Sequence, residues 1–66
     1  MYKIANTTSE QFIINQDNGV WIPLAPGNTD YDNFKYQINH DEAQLETPEG
    51  VVMTSAEAKA YVATLP

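Results

Sequence analysis

Residues Phe12 to Leu24 read FIINQDNGVWIPL, two β-rich runs on either side of Asn18-Gly19. Asn-Gly suits the two positive φ values of a type I′ turn, so the stretch predicts a β-hairpin with Asn18 and Gly19 as its loop. That loop pairs Asp17 with Val20, Gln16 with Trp21, Asn15 with Ile22, Ile14 with Pro23 and Ile13 with Leu24. Alternation then sends Ile13, Val20, Ile22 and Leu24 to one face and Phe12, Ile14 and Trp21 to the other. Both faces are partly apolar. One of them must be covered by helices, which leaves the Trp21 face to meet a partner or a second copy of the chain.

Working outward, MYKIA forms a further strand, set off by the turn-favouring cluster Asn6-Thr7-Thr8-Ser9. Pro23 lacks an amide hydrogen and places the second arm of the hairpin at a sheet edge, and Ala25-Pro26-Gly27 ends it. Tyr31, Phe34 and Ile38 then recur at helical spacing, predicting a short helix that closes around Asn39 and His40 and must dock to be stable. QLETPEGVVM predicts a second short hairpin, with Pro48 at the second position of a type I turn and Gly50 in the left-handed position after it. A last helix starts at Thr54, whose Glu57 three residues on completes a capping box, and it buries Ala58, Tyr61, Val62 and Leu65. The predicted order is β-β-β-α-β-β-α over residues 1–66. This is a single small α+β domain: a three-stranded antiparallel sheet, a short helix, a second hairpin and a C-terminal helix.

Asn28-Thr29-Asp30-Tyr31-Asp32 brings two carboxylates around a tyrosine and invites a catalytic or metal reading. On a helix, however, residues two apart point about 200° from each other, so Asp30 and Asp32 do not share a cation. The capping reading fits better. Thr29 with Asp32 three residues on forms a near relative of the capping box, Asn28 is the competing cap, and Asp30 answers the helix dipole. His40, the only histidine, is followed directly by Asp41 and Glu42, a spacing that suits a solvated helix end better than a metal set. Ser9 and Ser55 lie in no nucleophile motif, and three isolated glycines make no phosphate loop. Asn6-Thr7-Thr8 matches a glycosylation acceptor with no secretory signal beside it. No catalytic residue, metal, cofactor or small-molecule substrate is expected. Most of the aromatic residues belong in the core, but Tyr36 falls off the Tyr31–Phe34–Ile38 stripe. Together with Trp21 it is the candidate for contact with another protein.

Nine acidic residues against Lys3, Lys35 and Lys59 give a net charge of −6. Three scattered lysines do not build a phosphate-binding surface, so nucleic acid is not an expected partner. The charge reads first as a solubilising surface. No apolar run has membrane-spanning length, and the N-terminus lacks the layout of a secretion signal. With no cysteine there is neither a disulfide nor a thiolate metal site, a composition that leans towards an intracellular setting. A chain of this size has a thin core, so association with a partner is an open route to stability.

GVWIPLAPGNTDYDNFKYQI, continued by QLETPEGVVMTSAEAKAYVATLP, resembles a group of small proteins from tailed bacteriophages, notably marine and cyanobacterial ones. Their pattern is a hairpin, an IP-x-x-P-x-NTDY link, a short helix, a strand and a closing helix. The matching residues are Ile22, Pro23, Pro26, Asn28, Thr29, Asp30 and Tyr31, with a looser match at Met53, Thr54 and Glu57. Leu24-Ala25-Pro26-Gly27 departs from the family's common DP-x start to the link. Similar segments occur appended to tail-fibre and other virion-associated proteins. The resemblance implies a non-enzymatic phage protein that acts by protein–protein contact in the virion or the host cytoplasm. A small virion structural or tail-associated accessory protein is the leading expectation, with self-association through the Trp21 ribbon as one form of contact. The alternative is an early regulator that stays outside the virion and binds and inhibits a host protein.

Overall fold

A computed structural model describes all 66 residues. The chain forms three strands, β1 (Tyr2–Asn6), β2 (Gln11–Asn15) and β3 (Val20–Pro23), then helix α1 (Thr29–Asn39), a two-residue strand β4 (Leu45–Glu46) and helix α2 (Ser55–Ala63). The sheet order is β3-β2-β1-β4, antiparallel except that β4 runs parallel to β1. Both helices pack on one side of the sheet, so the fold is a two-layer α+β domain.

The central hairpin differs from its expected register. Asn15 pairs with Val20, Ile14 with Trp21, Ile13 with Ile22 and Phe12 with Pro23, so the loop holds four residues, Gln16 to Gly19. Only Gly19 takes a positive φ, +73°, whereas a type I′ turn needs one at Asn18 as well. The Asn15 side chain accepts the Asp17 amide at 3.0 Å, and the Gly19 amide reaches the Asn15 carbonyl at 2.7 Å. The chain therefore begins to turn two residues earlier. The observed register also sets Ile13 against Ile22, both buried, where the expected one set Asn15 against Ile22. A shift of two preserves the alternation, so the two faces have the expected members.

The link from sheet to helix is a tight turn in which the Asn28 amide donates to the Ala25 carbonyl at 3.1 Å. Pro26 and Gly27 hold its central positions, and Gly27 has φ +89°, the backbone of a type II turn that a side chain at this position would strain. Asn28 is the helix cap: its Oδ1 accepts the Tyr31 amide at 3.1 Å. Thr29 is instead the first helical residue, and Asp32 gives only its amide to the Asn28 carbonyl at 2.9 Å, so the expected Thr29/Asp32 box does not form. Extended backbone at residue 28 and helical backbone from residue 29 decide between the two caps. Asn28→Ala is accordingly expected to cost about 1 kcal/mol in urea unfolding, while Thr29→Ala stays within about 0.5 kcal/mol of wild type. Equal losses for the two variants would contradict the assignment.

The second hairpin is reduced to a remnant. Thr47 and Val51 bond across the turn, but only Glu46 and Val52 bridge as strand residues. The pairing capacity of β4 goes to β1 instead, with Tyr2 beside Leu45 and Lys3 beside Glu46. That placement drives Leu45 fully into the core, which a free-standing hairpin would not do. At α2 the capping box is complete: Thr54 Oγ1 accepts the Glu57 amide at 3.1 Å, and Glu57 Oε1 accepts the Thr54 amide at 3.0 Å.

The core comprises Tyr2, Ile4, Ile13 and Ile22 from the sheet, Tyr31, Phe34 and Ile38 from α1, Leu45, and Ala58 and Val62 from α2. Three tyrosines on its border donate across elements: Tyr2 to Gln37 Oε1 at 2.6 Å, Tyr31 to the Pro66 carbonyl at 2.9 Å, and Tyr61 to Gln11 Oε1. Burial pushes all three phenols above their ordinary value, with nearby acidic charge adding to the effect for Tyr2 and Tyr31. The hydroxyls tie each helix to the sheet or to the chain's last residues while the rings fill the core.

Candidate functional site

Two features stand outside the core: a polar cluster where α1 meets α2, and the side of the sheet without helices. The cluster begins at the end of α1. The Asp41 amide bonds to the Ile38 carbonyl and the Glu42 amide to the Gln37 carbonyl at 2.8 Å, the paired bonds of a Schellman motif. Its left-handed position is usually glycine, yet here Asp41 occupies it at φ +58°. The carboxylate accounts for the choice. Asp41 Oδ1 accepts the Ser55 hydroxyl, and Oδ2 accepts Lys59 Nζ at 3.0 Å, so one side chain joins the end of α1 to the start of α2.

These bonds from Ser55 and Lys59 hold the Asp41 carboxyl below its usual range, and the capping bonds do the same for Glu57. A carboxylate whose folded-state value is lowered contributes stability above its unfolded value and loses it as pH falls through the folded one. Stability is therefore expected to decline as pH falls through and below the ordinary values of 3.8 for Asp41 and 4.5 for Glu57. Chemical denaturation across that range checks this, and Asp41→Asn should show a shallower decline than wild type. An unchanged slope would remove Asp41 from the account.

Beside this cluster lies a hollow of about 170 Å³ lined by Ile38, Asp41, Ala43, Gln44, Leu45, Met53, Ser55 and Ala58. Ligand pockets run from about 300 to 1,000 Å³, so this one is too small for an ordinary metabolite. Within it, Ser55 donates to a carboxylate already shared with a lysine, which leaves no free base aligned for nucleophilic work. No three His, Asp or Glu side chains gather as a metal set. His40 caps α1 and stacks on Tyr36 with ring centroids 4.1 Å apart.

The uncovered side of the sheet is the larger feature. Alternation places Lys3 and Ala5 of β1, Phe12 and Ile14 of β2, Trp21 and Pro23 of β3, and Glu46 of β4 there, opposite the buried isoleucines. Phe12 and Trp21 meet edge to face with centroids 5.8 Å apart, the diagonal contact that this register permits. Trp21 is 53% exposed. The patch is contiguous across three strands, and β3 leaves its outer edge unpaired.

Of the two residues expected to contact a partner, Trp21 is part of this patch and Tyr36 is not. Tyr36 is 55% exposed but belongs to α1, two residues from the buried Phe34 and so pointing away from the sheet. The two aromatics lie on opposite sides of the molecule. The expected caps Asn28, Thr54 and Glu57 hold helix starts far from this face in role. The Asp41–Ser55–Lys59 link escaped sequence reasoning because its members lie 14 and 18 residues apart and form no local motif. No family model matches the chain, and neither does any curated protein or solved structure. No helix is long and apolar enough to cross a membrane.

Proposed function

We propose that the chain is a small phage protein, a virion structural or tail-associated accessory component, that works by protein–protein contact through its helix-free sheet face. The observation that carries the contact is the continuous apolar patch of Phe12, Ile14, Trp21 and Pro23, which no part of the chain covers. Surfaces of this kind, aromatic at the centre and built on a rigid sheet, favour protein partners. The placing among phage proteins rests on the likeness of Ile22 to Tyr31 to the IP-x-x-P-x-NTDY link. No catalytic group, cofactor or nucleic acid enters this reading.

Mass spectrometry of purified particles tests the virion assignment: the chain should be present in fixed ratio to a known structural protein. A Phe12→Ser, Ile14→Ser variant supplied in its place should be lost from the particles while its circular dichroism stays native. Absence of the wild-type chain from particles would move the assignment to a regulator outside the virion. Incorporation of the variant at the wild-type level would remove the face from the contact.

A further inference from the structure

We infer that Asn18 is a site of self-modification, at which the native chain converts its own asparagine to aspartate and isoaspartate, held back by one hydrogen bond of the β2–β3 loop. The reaction needs no partner, only water. Hydroxide takes the Gly19 amide proton, and the Gly19 nitrogen bonds to Asn18 Cγ. The water so formed returns the proton to the Asn18 side-chain nitrogen, which leaves as ammonia, and a succinimide ring remains. A second water then opens the ring. Cleavage between the nitrogen and Cγ gives aspartate at residue 18, whereas cleavage between the nitrogen and the main-chain carbonyl gives isoaspartate, whose main chain runs on through Cγ and is longer by a carbon.

Of the asparagines, only Asn18 precedes a glycine; the others are followed by Thr7, Gln16, Thr29, Phe34 and His40. Residues 16 to 21 are all exposed, and apart from its chain neighbours no atom stands within 4 Å of the place a side chain at Gly19 would fill. Water and hydroxide therefore reach the amide. The Val20 amide donates to Asn18 Oδ1 at 3.0 Å. Negative charge develops on that oxygen as the Gly19 nitrogen attacks, so a donor for it is in place before the reaction starts. Opposing this, the Gly19 amide hydrogen is held by the Asn15 carbonyl at 2.7 Å. The Asn15 side chain, accepting the Asp17 amide at 3.0 Å, keeps the loop in the shape that closes this bond. The loop contributes no residue to the core, so it opens locally while the core stays folded. Either product adds a negative charge beside Asp17, and the longer main chain of isoaspartate parts Gly19 from the Asn15 carbonyl where β3 begins.

The intact chain is incubated in mildly alkaline buffer and followed by mass spectrometry, with fragmentation to place the change from amide to acid and an isoaspartate-specific methyltransferase to count that product. The expected result is steady conversion at Asn18 alone, slower than in the same chain unfolded in urea. Asn15→Ala removes the acceptor of the Asp17 amide and should convert several-fold faster than wild type while its circular dichroism stays native. Asn18→Gln, which would have to close a larger ring, should not convert. Hydrogen exchange on the wild type reads the same loop without a variant: the Gly19 amide should exchange well ahead of the amides of Ile4 and Ile13 in the core strands. A native chain that stays unmodified while the unfolded chain converts overturns the inference, as does conversion first at another asparagine. It is overturned equally by a native rate that matches the unfolded one, by a folded Asn15→Ala no faster than wild type, or by a Gly19 amide that exchanges only with the core. If Asn15→Ala does not fold, the exchange of Gly19 decides.

Discussion

Replacing Phe34 by Ala lowers the melting temperature by roughly 12 to 40 °C, enough to leave little folded protein at physiological temperature. Phe34 is completely buried at the centre of the helix-to-sheet contact, with its ring edge-on to Tyr2 at 5.0 Å between centroids. Removing a buried phenylalanine costs about 3 to 5 kcal/mol, while a chain of this length holds only about 3 to 10 kcal/mol in total. The loss is therefore comparable with the whole stability. Thermal unfolding by circular dichroism measures it, and a shift below about 5 °C would mean that the contact carries far less of the fold than its burial implies.

Ile13 and Ile14 are chemically identical neighbours on opposite sides of the sheet, and their alanine variants should differ sharply. Ile13 is fully buried against Ile22, so Ile13→Ala is expected to cost about 2 to 5 kcal/mol. Ile14 lies half-buried on the open face beside Trp21, so Ile14→Ala should cost about 1 kcal/mol or less. Urea unfolding of both variants gives the ratio. Similar costs would mean that the second face is covered too, which would also undo the proposed contact surface. Cross-strand nuclear Overhauser effects separate the two registers independently: Ile13 with Ile22 in the observed one, Asn15 with Ile22 in the other.

These two isoleucines also show how far the sequence carries. Their opposite fates follow from alternation alone, and Tyr31, Phe34 and Ile38 or Ala58 and Val62 follow from helical spacing in the same way. The Thr54–Glu57 box was legible because both of its bonds lie within four residues. The hairpin register was not, because Asn-Gly serves both two- and four-residue loops and a shift of two leaves every face unchanged. The β4–β1 pairing was hidden for another reason: no local signal states which distant strand will accept two residues. Asp41 was masked by its identity, since glycine is the residue that marks a left-handed helix end. Of the candidate site, the Trp21 face was readable from its pattern. The neighbouring of Lys3 and Glu46 on that face was not, because it needs the topology that sets β4 beside β1.

The same β4–β1 pairing has a temporal side. Tyr2, in an interior strand, finds its neighbour Leu45 only 43 residues later, after both hairpin arms and α1. At ribosomal speeds of about 5 to 20 residues per second, one edge of β1 waits roughly 2 to 9 seconds for the strand that closes it. During that interval the amides and carbonyls along this edge of the nascent chain bond only to water, next to an unfinished core, and form a template for any other extended segment. Neighbouring nascent chains on one message expose the same edge at the same stage. The strand that finally covers this edge is two residues long and closes it only at Tyr2 and Lys3.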